Sequence, residues 1–129
     1  VDRRTISGES AITAAHEIAT IHDGLVNPDP EFAATWKSVI ARPQYETPAR
    51  HGIIESLRHC AQERGVVAEP AGMTFWTDAA ILGGAGVPSV LFGPGGAGLH
   101  STGEYVNIAD VIACRNVLAQ LAINWTSRD

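Results

Sequence analysis

The chain has 129 residues, 45% of them hydrophobic and 18% charged, and a formal net charge of −5 at pH 7. Nine Lys and Arg set against fourteen Asp and Glu leave no basic cluster of the kind that nucleic acid or an anionic membrane rewards. No apolar run approaches the ~20 residues needed to span a bilayer.

The first segment, Val1–Ile6, reads as the tail of a strand. Its charges at Asp2, Arg3 and Arg4 have no apolar stretch behind them, which excludes a secretory leader at this position. With Val rather than Met at position 1, the expectation is that the gene begins further upstream. Ser7 is a plausible N-cap, with Glu9 in the first turn. Apolar residues at Ile12, Ala15, Ile18, Ala19 and Leu25 then predict an amphipathic helix to about Leu25. A loop with two prolines, 27–32, precedes a short β-type run, Trp36–Ala41.

Thr47 followed by Pro48 predicts a cap and first-turn pair for a helix burying Ile53, Leu57, Cys60 and Ala61, closed by Gly65. A strand near Val66–Glu69, a short helix from Asp78 to about Gly83, and a buried strand over Ser89–Phe92 follow. The last helix runs from about Ile108 to Trp125, with Val111, Cys114, Leu118, Leu121 and Trp125 along one stripe. From residue 48 onward this rhythm of helices and strands is that of an α/β fold, a parallel or mixed sheet covered by helices. Cys60 and Cys114 both fall inside predicted helices. Two lone cysteines suit reduced thiols in a reducing compartment, the cytoplasm, better than a disulfide framework.

The richest stretch is "VLFGPGGAGLHSTGEYV", Val90–Val106. Gly93, Gly95 and Gly98 satisfy G-x-G-x-x-G after a strand. That motif, however, needs a helix opening at the glycines to hold a pyrophosphate. Here the next helix starts near Ile108, and no G-K-[ST] is present. A plain structural turn is a second reading. A third has the glycines bring backbone N–H groups close to a ligand while His100 stands at the carboxyl end of the sheet.

Other histidines carry less. His16 and His22 are six apart, so "HEIATIH" lacks the i, i+4 pair of a zincin helix, and His51 and His59 read as surface residues. Neither C-x-x-C nor the G-x-S-x-G of a serine hydrolase occurs. Thr77 and Asp78 open a helix, either as a cap with a favourable charge at the helix dipole or as polar groups orienting a substrate. Glu104, four residues after His100, is either a solvated acid or a carboxylate supporting the histidine ring.

"VDRRTISGE", "RPQYET", "GMTFWTDAAILGGAGVPSVLFGPGGAGLHSTGEYVNI" and the closing helix resemble the carboxy-terminal part of a large metallopeptidase family. Its members include acetylornithine deacetylase, succinyl-diaminopimelate desuccinylase, aminoacylases and glutamate carboxypeptidase. The resemblance implies a phosphorylase/hydrolase-like catalytic domain with a helix-covered mixed sheet, into which a ferredoxin-like α/β lid is inserted. Residues 1–45 would be the later half of the lid and 46–129 the carboxy-terminal part of the catalytic domain.

The activity implied is hydrolysis of the amide of an N-acyl amino acid or small peptide. In that family a water bridging two zinc ions attacks, with cobalt or manganese as possible substitutes, and a glutamate is the general base. By the same resemblance His100 is a metal ligand and Arg4 grips the substrate carboxylate. Gly95 and Gly96 line the substrate pocket, while Thr77, Asp78 and Glu104 support it.

The family's H-x-D pair and its Glu-Glu pair do not occur among these residues. The expectation is therefore a chain that carries no catalytic residue of its own and does not fully bind zinc. Alone it is expected to be inactive, and to associate with copies of itself or as a homo-oligomer. A non-catalytic binding or interaction module on the same scaffold is the alternative.

Overall fold

The computed structural model describes residues 1–29 and 31–127. Pro30, the second proline of the 27–32 loop, and residues 128–129 at the end of the expected catalytic part lie outside them. The chain is a mixed α/β structure of four helices and one two-stranded ladder among the described residues. It forms two compact units. One comprises Val1–Glu46 with Met73–Ala85; the other comprises Thr47–Gly72 with the residues from Gly86 onward.

In the first unit, α1 covers Ala11–Val26 and is capped by Ser10, whose hydroxyl accepts the N–H of Thr13. The cap lies three residues beyond the expected Ser7 because Ile6–Glu9 is a turn. Glu9 donates its N–H to the Ile6 carbonyl at 3.1 Å, and Gly8 sits at φ +93°, which a turn needing positive φ at its third residue favours. Glu9 is thereby freed from the helix. Its carboxylate instead pairs with Arg3 at 2.8 Å, and Arg3 also pairs with Glu17 on α1 at 2.9 Å.

Further along this unit, α3 covers Ala79–Gly84, as the sequence predicts, and Ala80 is buried. A Cβ on Gly83 would fall 1.9 Å from the Tyr45 ring, so any side chain here would displace the ring packed on it. The two β-type segments expected here, Val1–Ile6 and Trp36–Ala41, have no ladder partner among the described residues.

In the second unit, α2 (Gly52–Glu63) packs against α4 (Ile108–Thr126). Leu57, Cys60, Ala61 and Val117 form the core, with Val66, Ala68, Val90, Phe92 and Leu121 packed on it. The N-cap of α2 is His51, whose ring nitrogen accepts the Ile53 N–H at 3.2 Å. The expected Thr47 cap is engaged elsewhere: its hydroxyl donates to the Ser89 carbonyl. Gly65 ends α2 as predicted, at φ +68°. Its N–H goes to the Gln62 carbonyl and that of Val66 to the Ala61 carbonyl, the paired bonds of a Schellman cap.

Two sequence expectations are corrected in this unit. The segments 66–69 and 89–92 keep a strand's alternation, with Val66, Ala68, Val90 and Phe92 half-buried and Val67 and Leu91 exposed. Neither joins a ladder among the described residues. Alternation needs only a face to bury, whereas a ladder needs a neighbour in register. The helix-covered sheet is thus not present among the described residues. Second, the buried stripe of α4 is centred on Val117, which is fully buried, while Val111, Leu118 and Trp125 remain exposed. Apolar residues occur on opposite sides of α4, so the sequence leaves its rotation open and contact with α2 decides it.

Candidate functional site

The glycine loop is a hairpin. Strand β1 (Gly96–Ala97) pairs antiparallel with β2 (Tyr105–Val106), placing Gly96 opposite Val106 and Ala97 opposite Tyr105. The Gly95 carbonyl accepts the N–H of Asn107, the residue before α4, at 3.0 Å. The hairpin is therefore tied to the start of the last helix. Asn107 in turn donates from its side-chain nitrogen to Asp110 at 3.0 Å.

The chemistry of the glycines follows from this backbone. A Cβ on Gly96 would lie 2.1 Å from the Tyr105 carbonyl oxygen, a contact that only a bare Cα avoids. Gly98 sits at φ +77°, and a Cβ there would meet the Ser101 hydroxyl at 2.8 Å and the Gly103 carbonyl at 2.9 Å. The Gly98 carbonyl accepts the Ser101 N–H at 2.8 Å. These glycines serve strand approach and turning. None opens a helix, so the geometry of a pyrophosphate cradle is not met.

At the tip, His100 adopts φ 63° and is the one non-glycine residue among those described with positive φ. Left-handed backbone is sparsely populated by side-chain-bearing residues, and such outliers concentrate at functional sites. The carboxylate of Glu104 accepts the His100 backbone N–H at 3.3 Å. Glu104 thus holds the backbone that carries the imidazole, a different support from the ring contact the sequence suggested. His100, Gly95, Gly96 and Glu104 are all solvent-exposed on this hairpin.

The remaining nominated residues lie in the other unit. Arg4 donates from its guanidinium to the Thr74 carbonyl at 2.9 Å and pairs with Asp2 at 2.7 Å, leaving part of its donor fork open to solvent. Its neighbour Arg3 is committed to Glu9 and Glu17, and those two carboxylates raise its pKa further. Of the adjacent arginines, Arg4 is thus the one with donors to offer. Thr77 is half-buried and Asp78 exposed at the start of α3, where Asp78 makes no side-chain capping bond. Asp78 also accepts nothing from the Leu82 amide through its side chain; the backbone carbonyl does so, at 3.1 Å. Asp78 thus holds the N-cap position of α3 by its backbone, without a side-chain capping bond.

Among the described residues, no three His, Cys, Asp or Glu side chains come together as a metal site. A single imidazole does not meet the four-coordinate demand of zinc, so His100 by itself does not make such a site. Both cysteines are free, as expected, with Cys60 buried. A feature the sequence did not disclose is a cleft of about 210 Å³ lined by Gly52, Glu55, Ser56, His59, Cys60 and Asn124. It arises only from the packing of α2 on α4. No helix among the described residues is long and apolar enough to cross a membrane.

The family model described as Peptidase family M20/M25/M40 matches residues 6–124, and the chain belongs to this peptidase family, whose members are generally metal-dependent. Within it, the chain is similar to the acetylornithine deacetylase of Myxococcus xanthus, with 32% identity over 126 residues. The alignment takes in 97% of this chain and 32% of that protein, so the chain spans about a third of its relative's length. No solved structure matches it.

Proposed function

We propose that this chain belongs to a metal-dependent hydrolase that cleaves the amide of N-acyl amino acids or small peptides. The observation that carries this reading is the family match over residues 6–124, joined to the similarity with a protein named acetylornithine deacetylase. Residues 1–45 would belong to the lid and 46–129 to the catalytic part. His100 would supply one ligand to a metal centre, usually zinc, whose other ligands are contributed from outside these residues. Its left-handed backbone, braced by Glu104, supports a role in which the ring is presented at a fixed place.

Arg4 would hold the substrate carboxylate. Its fork is anchored on one side by the Thr74 carbonyl and Asp2, and charge-assisted donors in a planar array suit a carboxylate. The backbone of Gly95 and Gly96 would form the substrate-side wall, and Thr77 and Asp78 would add polar contacts. The free thiols suit a reducing compartment such as the cytoplasm. Exposed apolar residues on α4, including Ile108, Leu118, Ile123 and Trp125, support association of this chain with copies of itself.

The test is deacylase activity of the full-length gene product, loaded with zinc, against N-acetylornithine and other N-acyl amino acids. We expect turnover that a chelator abolishes and that His100→Ala reduces at least a hundredfold, with no turnover from the 129-residue chain alone. Absence of turnover by the zinc-loaded full-length protein across that panel would favour the non-catalytic binding module instead.

A further inference from the structure

Arg42 and Trp76 form a pair that the proposed function does not use. The Arg42 guanidinium lies over the Trp76 ring, 5.0 Å from its centroid. The Trp76 indole N–H donates to the carbonyl of Pro43 at 3.2 Å. Because Pro43 directly follows Arg42, one hydrogen bond fixes the ring beside the backbone that carries the arginine. The guanidinium is therefore held over the ring by a cation–π contact, and its N–H donors have no acceptor among the described residues. Among the described residues no carboxylate forms an ion pair with Arg42. Glu46, four residues after Arg42, and Asp78, two after Trp76, are both exposed and form no ion pair among the described residues.

The same short segment anchors Arg4. Its guanidinium donates to the carbonyl of Thr74, two residues before Trp76, so the anchoring residues are at most about 7 Å apart along the chain. Two guanidinium groups thus meet one stretch, Thr74–Phe75–Trp76, within one compact unit. Arg4 is paired with the Asp2 carboxylate through Nε and Nη2; Arg42 has no ion-pair partner among the described residues. Preorganised donors without an internal anion are what a carboxylate ligand binds with least ordering cost.

We propose that Arg42, stacked on Trp76, is a second carboxylate-binding residue beside Arg4, selecting ligands that carry two carboxylates on a short chain. This rests on the assignment of Arg4 as the grip for a substrate carboxylate. Arg42 is a specificity residue in this scheme. The planar fork matters as well as the charge, since a lysine ammonium can lie over the ring but offers no parallel donors.

The test is titration of the 129-residue chain with succinate and, separately, with acetate, followed by the Trp76 indole N–H resonance. That resonance is identified by its loss in Trp76→Phe. Succinate is expected to half-saturate the shift at about a tenfold lower concentration than acetate, which is 1.4 kcal/mol. Arg42→Gln and Arg42→Lys should each bring succinate to the acetate value while leaving acetate unchanged; Arg4→Gln should weaken both. If Arg42→Gln leaves the succinate preference intact while Arg4→Gln weakens both anions, the inference about Arg42 fails and the Arg4 assignment stands. If Arg4→Gln changes neither, the Arg4 assignment fails and takes the two-point site with it. No response to either anion also overturns the inference.

Discussion

Glu104 accepts the backbone N–H of His100 at 3.3 Å, and the residue so held sits at φ 63°. A histidine there costs roughly 1 kcal/mol or more relative to a residue that tolerates left-handed backbone. His100→Gly is therefore expected to leave thermal stability unchanged or raise it by up to about 1 kcal/mol. The same change in the full-length protein should abolish hydrolysis. Melting curves with deacylase assays check both. A clear fall in the melting temperature would show that the imidazole is there for packing.

The glycines separate by what a Cβ would meet. Gly96→Ala forces a methyl to within 2.1 Å of the Tyr105 carbonyl, and such overpacking against backbone should cost about 1–3 kcal/mol. Gly24→Ala, inside α1 with nothing within 4 Å, should instead stabilise by about 0.5–1 kcal/mol. Urea unfolding of the two variants distinguishes these signs.

The rotation of α4 can be tested by truncating its two apolar faces. Val117 is fully buried, whereas Val111 is 42% exposed. Val117→Ala should cost about 2 kcal/mol, counting lost burial and the cavity left behind. Val111→Ala should stay within about 0.5 kcal/mol. Equal losses at the two positions would mean that both faces are covered in solution, as self-association of the chain would bring about.

Acid stability turns on the Arg3 cluster. Hydrogen bonds from Arg3 hold the carboxyls of Glu9 and Glu17 below the ordinary 4.5. A depressed carboxyl contributes stability that is present above its unfolded pKa and lost as pH falls through the folded value. The loss is thus expected below about pH 4.5, the ordinary glutamate value. Arg3→Gln should remove most of it, leaving the smaller part that the Ile6 N–H supplies to Glu9, and so flatten the unfolding midpoint plotted against pH in that window.

His22 acts in the opposite sense. Its Nε2 lies 2.9 Å from the Ala34 carbonyl and its Nδ1 3.1 Å from the Asp23 carboxylate. The first contact and then the second raise its pKa above the ordinary 6.5. Only the imidazolium donates at both nitrogens. The resulting stability is complete below pH 6.5 and declines as pH rises through the shifted value. Histidine ring shifts followed by NMR should place the His22 midpoint above that reference, and Asp23→Asn should lower it.

Local signals made much of this legible in advance. Gly65 ends α2 because a left-handed residue must stand where its Schellman bonds close, and glycine is the residue that stands there without strain. The helix at 79–84 and the start of α4 at Ile108 were visible for similarly local reasons. The beginnings of α1 and α2 were not. At α1 the Ile6–Glu9 turn competes with the Ser7 cap and hands Glu9 to Arg3; at α2 the Thr47 hydroxyl is taken by the Ser89 carbonyl, a partner too far along the chain for a cap signal to register.

The sequence by itself determined which segments are helical, which alternate, and that the glycine stretch ends in one histidine, because these depend on near neighbours and residue type. Tertiary structure decided which face of α4 is buried, which arginine of the Arg3–Arg4 pair keeps free donors, and that 66–69 and 89–92 join no ladder among the described residues. It also decided the left-handed backbone of His100. Each of these depends on what stands opposite a residue in space, and composition and spacing carry no record of that.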